Sequence, residues 1–238
     1  MSNPNGPYPG RQLFIGLTAG GNPCLAYLVT GRSLPTRERR AMLMGTRVAI
    51  GPIGTIEYDP LRHYTAVACD PTTGIAVVSN GIQTEAIFET YRLLFHTGSL
   101  PTIEYMERLL DGAGAEPDSY HTPRIAGVLT SHAEAGLVGI IGIKCLGSPA
   151  KAFRVKMEPG VLTGVSTYRG ALDNPEPFDI NSGLPELKLE GATAGDIAGY
   201  LFDISSAAYK GQDIRVCSVG GIRADNGHTW SLETKNIH

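Results

Sequence analysis

The sequence predicts an α+β fold, and three observations carry the prediction. Apolar runs of strand length recur in pairs around turns containing Gly, Pro, Asn and Asp, the pattern of antiparallel hairpins. Helical periodicity is confined to three stretches that do not alternate regularly with the strands, unlike a βαβ protein. Runs such as IAVVS (75–79) and LVGIIGI (137–143) are apolar on both faces, so they need cover on both sides and belong to stacked layers.

Each element follows in order. Residues 1–10 hold Pro4, Gly6, Pro7, Pro9 and Gly10 and read as an irregular arm. Segments 12–17 and 24–30 make a first hairpin around the turn 18–23. The stretch 31–42, with Arg32, Arg37, Glu38, Arg39 and Arg40, reads as a polar loop, and 47–53 as a further strand. Segments 64–69 and 75–79 pair around Asp70-Pro71-Thr72-Thr73-Gly74. The period then changes: Ile87, Tyr91, Leu94 and Phe95 share a helical face, with Gly98 as the stop. A second helix spans 102–110, from Thr102 as N-cap to Gly112 as stop. Residues 111–121 are irregular. Segments 124–130 and 137–145 form a third hairpin, and 152–157 with 160–167 a fourth. A loop rich in Pro, Asn, Gly and Asp fills 169–192. Thr193 with Asp196 signals a capping box, and Ile197, Tyr200, Leu201, Ile204 and Ala208 give the stripe of a third helix ending at Gly211. Short strands at 214–218 and 229–232 close the chain. No repeat or composition break divides it, so 1–238 reads as a single domain.

Composition narrows the function. The chain has 238 residues, 42% hydrophobic and 18% charged, and a chain of this size buries about 70–75% of its unfolded surface without a metal or disulfide staple. A net charge of −3 and a pI near 6.1 leave no basic footprint, which argues against nucleic acid as a partner. The longest apolar stretch, 135–145, is too short to cross a bilayer, and residues 1–11 lack the apolar core of a secretory signal. The expectation is a cytoplasmic protein whose cysteines, Cys24, Cys69, Cys145 and Cys217, are reduced and mostly buried. No C-x-x-C pair and no metal-binding histidine spacing occurs, so no metal is expected. Walker, G-x-G-x-x-G, G-x-S-x-G and H-E-x-x-H motifs are absent. Ser2, exposed if Met1 is removed, is a poor N-terminal nucleophile because a Pro-dense arm separates it from the first strand.

Polar clusters at strand edges carry the chemistry. Arg32 and Ser33 follow a strand directly; an arginine there is either a bidentate clamp for phosphate or carboxylate or an ordinary loop residue. Ser79-Asn80-Gly81 lies between a buried strand and a helix, where backbone N–H groups can bind an anion or where Asn-Gly simply turns the chain. Glu116 and Asp118 precede Thr122-Pro123-Arg124 at the entry to a buried strand. Two carboxylates in different environments suit general acid/base work; a solvated loop with a salt bridge is the plainer alternative. Ser166-Thr167-Tyr168 and Tyr64 are weaker candidates.

Taken in order, these segments resemble a known family. They are Pro9-Gly10-Arg11, Ala26-Tyr27, Gly31-Arg32-Ser33 with Arg37 and Arg39, and Val78-Ser79-Asn80-Gly81 with Gln83-Thr84-Glu85-Ala86-Ile87. Glu116-Pro117-Asp118, Thr122-Pro123-Arg124-Ile125, Ser166-Thr167-Tyr168, Asn226-Gly227 and Trp230 follow. The chain resembles the stand-alone, archaeal-type inosine monophosphate (IMP) cyclohydrolases and their bacterial relatives over about residues 8–232. The resemblance implies a four-layer αββα sandwich like that of N-terminal nucleophile hydrolases, without the N-terminal nucleophile. It implies closure of formamidoimidazole carboxamide ribotide (FAICAR) to IMP with loss of water, the last step of purine synthesis, with no cofactor and in a homo-oligomer. Region 146–195 matches poorly beyond Ser166-Thr167-Tyr168.

Resemblance and chemistry together suggest roles. Arg32 and Ser33 bind phosphate or polarise the formyl oxygen, and Tyr64 donates a proton or stabilises the oxyanion. Asn80 and Gly81 orient the carboxamide or bind the oxyanion. Glu116 or Asp118 is the general base, with Arg124 fixing the carboxylate or holding phosphate. Arg11, Thr122 and Ser166 complete the substrate-binding set. Two alternatives stand beside this reading: a purine-ribotide-binding protein without cyclohydrolase activity, and an amide hydrolase on the same fold.

Overall fold

Two antiparallel sheets form the body of the protein, and the long helices lie on their outer faces. The computed structural model describes residues 6–54, 57–223 and 227–238; Ser2 and Asn226 lie outside them. The first hairpin is β1 (Arg11–Leu17) and β2 (Pro23–Thr30), with Gln12 opposite Leu28 and Gly16 opposite Cys24. A single helical turn, α1 (Leu34–Arg37), leads into β3 (Arg39–Met44), β4 (Arg47–Pro52), β5 (Tyr64–Cys69) and β6 (Ala76–Ser79). Helices α2 (Gln83–Thr97) and α3 (Ile103–Ala113) follow, then β7 (Arg124–His132), β8 (Gly136–Lys144) and β9 (Lys151–Val155). Next come β10 (Val161–Ser166), β11 (Tyr168–Arg169), β12 (Glu176–Pro177), a 3-10 turn at Ile180–Ser182 and β13 (Glu186–Lys188). The chain ends with α4 (Ala194–Ile204), β14 (Ala208–Tyr209), β15 (Gln212–Asp213), β16 (Arg215–Arg223) and β17 (Trp230–Asn236).

Strands β3 to β9 pair in chain order as a seven-stranded meander, with the α2–α3 excursion between β6 and β7. The other sheet has the order β13-β10-β1-β2-β16-β17, and β11-β12 and β14-β15 are small ribbons. The sheets face each other across one core: Leu13, Ile15, Leu25 and Tyr27 of one meet Val48, Ile50, Val67 and Val78 of the other. This explains why β6 is buried on both faces: Val78 faces that core, whereas Val77 packs under Ile87, Phe88 and Tyr91 of α2. Phe14, Leu28 and Leu162 pack beneath Ile197 and Leu201 of α4. The α+β class, the three long helices and three of the hairpins are as the sequence predicts.

Five expectations need correction. The fourth hairpin does not exist: β9 pairs with β8 in the seven-stranded sheet, and β10 pairs with β1 in the other. Glu158-Pro159-Gly160 is locally turn-like, but the Gly160 amide bonds to Leu17 O and Thr18 O at 3.1 Å each, so this turn crosses between sheets. The polar stretch 31–42 contains α1 and β3, and 169–192 contains three short strands. Helix α3 runs through Gly112 to Ala113, capped by Gly114 at φ 66°. Helix α4 stops at Ser205, whose Oγ donates to Phe202 O at 2.8 Å, so Ala208 is outside it. Gly211, at φ 76°, turns the β14–β15 ribbon instead.

Helix α4 starts with the predicted capping box, Asp196 N donating to Thr193 Oγ1 at 3.1 Å and Thr193 N to Asp196 Oδ2 at 3.0 Å. It rests directly on β16. A Cβ at Gly220 would stand 2.0 Å from Ala194 O and 2.8 Å from Ala198 N, both helix backbone. Gly220→Ala is therefore expected to destabilise the fold by about 3 kcal/mol, lowering Tm by roughly 10 °C in a chain of this size. Thermal unfolding followed by circular dichroism checks this.

Candidate active site

A cleft of about 490 Å³ opens where β1 begins and β2 ends. Its wall takes Arg11 from β1, Thr30 from β2, Arg32 and Ser33 from the turn into α1, and Arg39 from β3. Asp118, Tyr120 and Thr122 come from the segment before β7, and Tyr8, Tyr168 and Lys210 complete the rim. Gly10 brings the arm close, at φ 67°: a Cβ there would strike Thr167 Oγ1 at 2.3 Å, while its carbonyl accepts from Thr30 N at 2.8 Å. Arg11, Arg32, Arg39 and Lys210 outnumber Asp118 and Asp173, so the cleft is suited to an anionic ligand.

Behind the wall lies a buried polar network. Glu116, 2% exposed, accepts from Arg11 Nη2 on Oε2 at 2.6 Å. Its Oε1 accepts from Asn80 Nδ2 at 3.2 Å, with Arg124 Nη1 further off at 3.7 Å. Burial pushes the Glu116 carboxyl above its ordinary value, against the pull of Arg11 and Arg124. Burial also works against the Arg11 charge, yet Glu116, Tyr64 and Tyr27 beside it hold that guanidinium above its ordinary value. The Nε–H groups of Arg11 and Arg124 have no hydrogen-bond partner among the described residues. Buried donors left unpaired cost about 1–3 kcal/mol each, so this arrangement is not optimised for stability.

Asn80 uses all its side-chain capacity inside this network. Its Nδ2 donates to Glu116 and, at 2.9 Å, to Pro123 O; its Oδ1 accepts from Ile125 N at 2.9 Å and Gln83 Nε2 at 3.0 Å. Gly81 makes room for Arg124: a Cβ there would lie 2.2 Å from Arg124 Nη1. Neither residue lines the cleft.

Asp118 does line it. Its Oδ1 accepts from Thr122 N at 2.8 Å and its Oδ2 from Thr122 Oγ1 at 2.5 Å. Thr122 has one hydroxyl hydrogen and gives it to Asp118, so Tyr168 is the donor in the 2.6 Å contact between the Tyr168 and Thr122 hydroxyls. Burial pushes the Tyr168 hydroxyl up to about 12, which keeps it a donor at neutral pH. The chain Tyr168–Thr122–Asp118 thus points its polarity at a carboxylate facing the cleft.

Arg32 is held by π faces and backbone oxygens. Its guanidinium carbon is 4.8 Å from the Tyr8 ring centre and 5.7 Å from that of Tyr120, and Nη1 donates to Leu172 O at 2.6 Å. Ser33 Oγ pairs with Thr36 Oγ1 at 3.0 Å. Tyr64 is buried with its hydroxyl 2.8 Å from that of Tyr27, and burial raises both phenols. Ser166 Oγ donates to Tyr168 O at 2.6 Å and is fully buried.

Of the candidates from sequence, Arg11, Arg32, Ser33, Asp118 and Thr122 meet in the cleft wall. Asn80, Gly81, Glu116 and Arg124 form the network behind it, whereas Tyr64 and Ser166 are buried outside both groups. Sequence reasoning assigned no role to Tyr8, Arg39, Gln83, Tyr120 or Lys210. Gln83 and Arg39 stood in the quoted motifs, but nothing local shows that Arg39 is 1% exposed. Among the described residues, no three His, Cys, Asp or Glu side chains are grouped to hold a metal, and no helix is long and apolar enough to cross a membrane. Burial pushes the Cys24 and Cys217 thiols to about 12, and Cys69 and Cys145 upward, so none of them is an activated nucleophile.

Comparison with known proteins identifies the family. A family model described as IMP cyclohydrolase-like protein matches residues 8–227. The chain is 28% identical over 220 residues to an IMP cyclohydrolase of Methanothrix thermoacetophila, covering 92% of this chain and 95% of that one. It is 32% identical over 200 residues to an IMP cyclohydrolase of Methanocaldococcus jannaschii, covering 82% and 86%. A third IMP cyclohydrolase, from Methanococcus maripaludis, is 32% identical over 197 residues. A match over residues 8–227, from the arm ahead of β1 to just before β17, shows that the chain belongs to the IMP cyclohydrolase-like family.

Proposed function

We infer that the protein is an IMP cyclohydrolase that closes FAICAR to IMP with loss of water. Beyond family membership, one observation carries the reading. The cleft sets a cationic wall against a carboxylate held by Thr122, which suits an anionic ribotide undergoing proton-coupled ring closure.

FAICAR already holds both reacting groups. The carboxamide nitrogen attacks the formyl carbon, a C–N bond forms, and the formyl oxygen becomes an oxyanion. The carboxamide nitrogen loses a proton and the oxygen gains one, giving a hydroxyl. The hydroxyl takes a second proton and leaves as water as its C–O bond breaks, while the formamido nitrogen gives up its proton and forms the ring C=N bond. Fixing the two groups in a near-attack pose supplies several kcal/mol. Arg11, presented by Glu116, is the donor for the formyl oxygen as charge develops there. Asp118 takes the proton from nitrogen, because it faces the cleft with lone pairs free, whereas Glu116 is committed to Arg11 and Asn80. Arg32, Arg39 and Lys210 hold the phosphate, with Ser33 and Thr122 at the wall. Tyr64 and Tyr27 support Arg11 from behind, Ser166 supports Tyr168, and Asn80, Gly81 and Arg124 support Glu116.

The helix–sheet–sheet–helix stacking fits the four-layer αββα sandwich of N-terminal nucleophile hydrolases, in one domain over 1–238. A cytoplasmic homo-oligomer goes with the same reading, on the strength of the resemblance.

The test is to treat purified protein with chelator, add FAICAR and follow the absorbance change of IMP formation. Turnover without added metal or cofactor is the expected result. Tight ribotide binding without turnover would favour a binding protein, and neither binding nor turnover would overturn the reading.

A further inference from the structure

Glu116 has two arginines within reach and gives its short contact to one of them. Arg11 is at 2.6 Å, and Arg124 at 3.7 Å. The difference has a visible cause. Arg124 Nη1 donates to Gln83 Oε1 at 3.1 Å, which holds it back from the carboxylate. Gln83 is 3% exposed and stands at the first residue of α2. Its neighbours leave its amide one orientation. Arg124 can only donate, so Oε1 faces it; Ile125 O, at 3.3 Å, can only accept, so Nε2 faces that side. The same Nε2 reaches Asn80 Oδ1 at 3.0 Å, which turns Asn80 Nδ2 toward Glu116 Oε1.

We propose that Gln83 is a positioning residue for ring closure, apportioning Glu116 between its two arginines. It keeps Arg124 on its own carbonyl and keeps Asn80 donating to Oε1, so that Oε2 is reserved for Arg11 in the cleft wall. The inference rests on the cyclohydrolase reading for its kinetic consequence, and on the ion-pair geometry alone for its structural one. Gln83 touches no reacting atom; its effect passes through Glu116 and Arg11.

Two near-isosteric variants test it. Gln83→Met frees Arg124 to close on Glu116. A displacement of about 1 Å at Arg11 is expected to lower kcat roughly tenfold to hundredfold. Gln83→Glu puts an acceptor where Asn80 needs a donor and gives Arg124 a carboxylate of its own. Protonated, that Glu again offers an O–H to Asn80 and a carbonyl to Arg124. Position 83 is faced by Arg124 from β7 and, through Asn80, by Glu116; Arg11 from β1, Tyr64 from β5 and Asp118 lie around that pair. Burial and Glu116 favour the neutral form and Arg124 the charged one, so the kcat of Gln83→Glu relative to wild type should climb as pH falls from about 8 to about 5.5. A purely structural loss would leave that ratio flat.

Crystal structures of both variants separate this inference from the function. The expected result is a shorter Arg124–Glu116 contact and a longer Arg11–Glu116 contact in Gln83→Met, whatever FAICAR does. Wild-type kcat and pH profile in both variants, or an unchanged 2.6 Å Arg11–Glu116 pair in Gln83→Met, would overturn it. Failure of the wild type to convert FAICAR would sink the cyclohydrolase reading, and the crystal contacts would still decide the role of Gln83.

Discussion

Asp118→Asn is expected to lower kcat for FAICAR closure by about 10²–10⁴-fold, the range for removing a general base. The substitution keeps the side-chain shape, and Oδ1 can still accept from Thr122 N, a bond of 2.8 Å in the native protein. What is lost is the proton acceptor. The new amide also meets Thr122 Oγ1 with a donor, which reverses the polarity of the Tyr168–Thr122–Asp118 chain. Fold stability should change little, because Asp118 lies at the cleft wall and is held mainly by its own loop. Steady-state kinetics with a thermal melt separate the two effects. A variant with near-native kcat would remove Asp118 from the mechanism.

Glu116→Gln is expected to cost about 10²–10³-fold in kcat, the scale of a misplaced oxyanion donor, with Tm held within a few degrees. The reason lies in where the charge sits. Burial raises the Glu116 carboxyl above its ordinary value despite Arg11 and Arg124. The protonated form is thus favoured by the fold, so the group's contribution to stability is fully present below the ordinary carboxylate value. It is lost as pH rises through the raised one. Glutamine imitates the protonated form and can still accept from Arg11, but without the charge that fixes the guanidinium at 2.6 Å. Activity falls while the fold survives. If Glu116→Gln were more damaging than Asp118→Asn, Glu116 would be the base and Asp118 the supporting carboxylate.

The sequence carried what is local. The β1–β2 hairpin was legible because Gly20-Gly21-Asn22-Pro23 is turn chemistry, and Gly21 does adopt φ 85°. Helix α4 was legible because Thr193 and Asp196 cap it reciprocally. The β9–β10 error shows the limit: a turn signal says that the chain reverses, not which sheet receives the next strand. The site divides in the same way. Arg32, Ser33, Asp118 and Thr122 lie where strands end and loops begin, and such places can be found from patterns. Depth cannot. Asn80 looked like a ligand for substrate, but all of its polar capacity is taken up by Glu116, Pro123, Ile125 and Gln83. Its role follows from contacts across 36 and 43 residues of sequence, which no local pattern displays.

A crystal structure of the protein with IMP bound tests most directly the proposal that ring closure takes place in the cleft between Arg11 and Asp118. The purine ring is expected beside Asp118 and Arg11, with the phosphate among Arg32, Arg39 and Lys210. IMP seated elsewhere, with those side chains untouched, would contradict it.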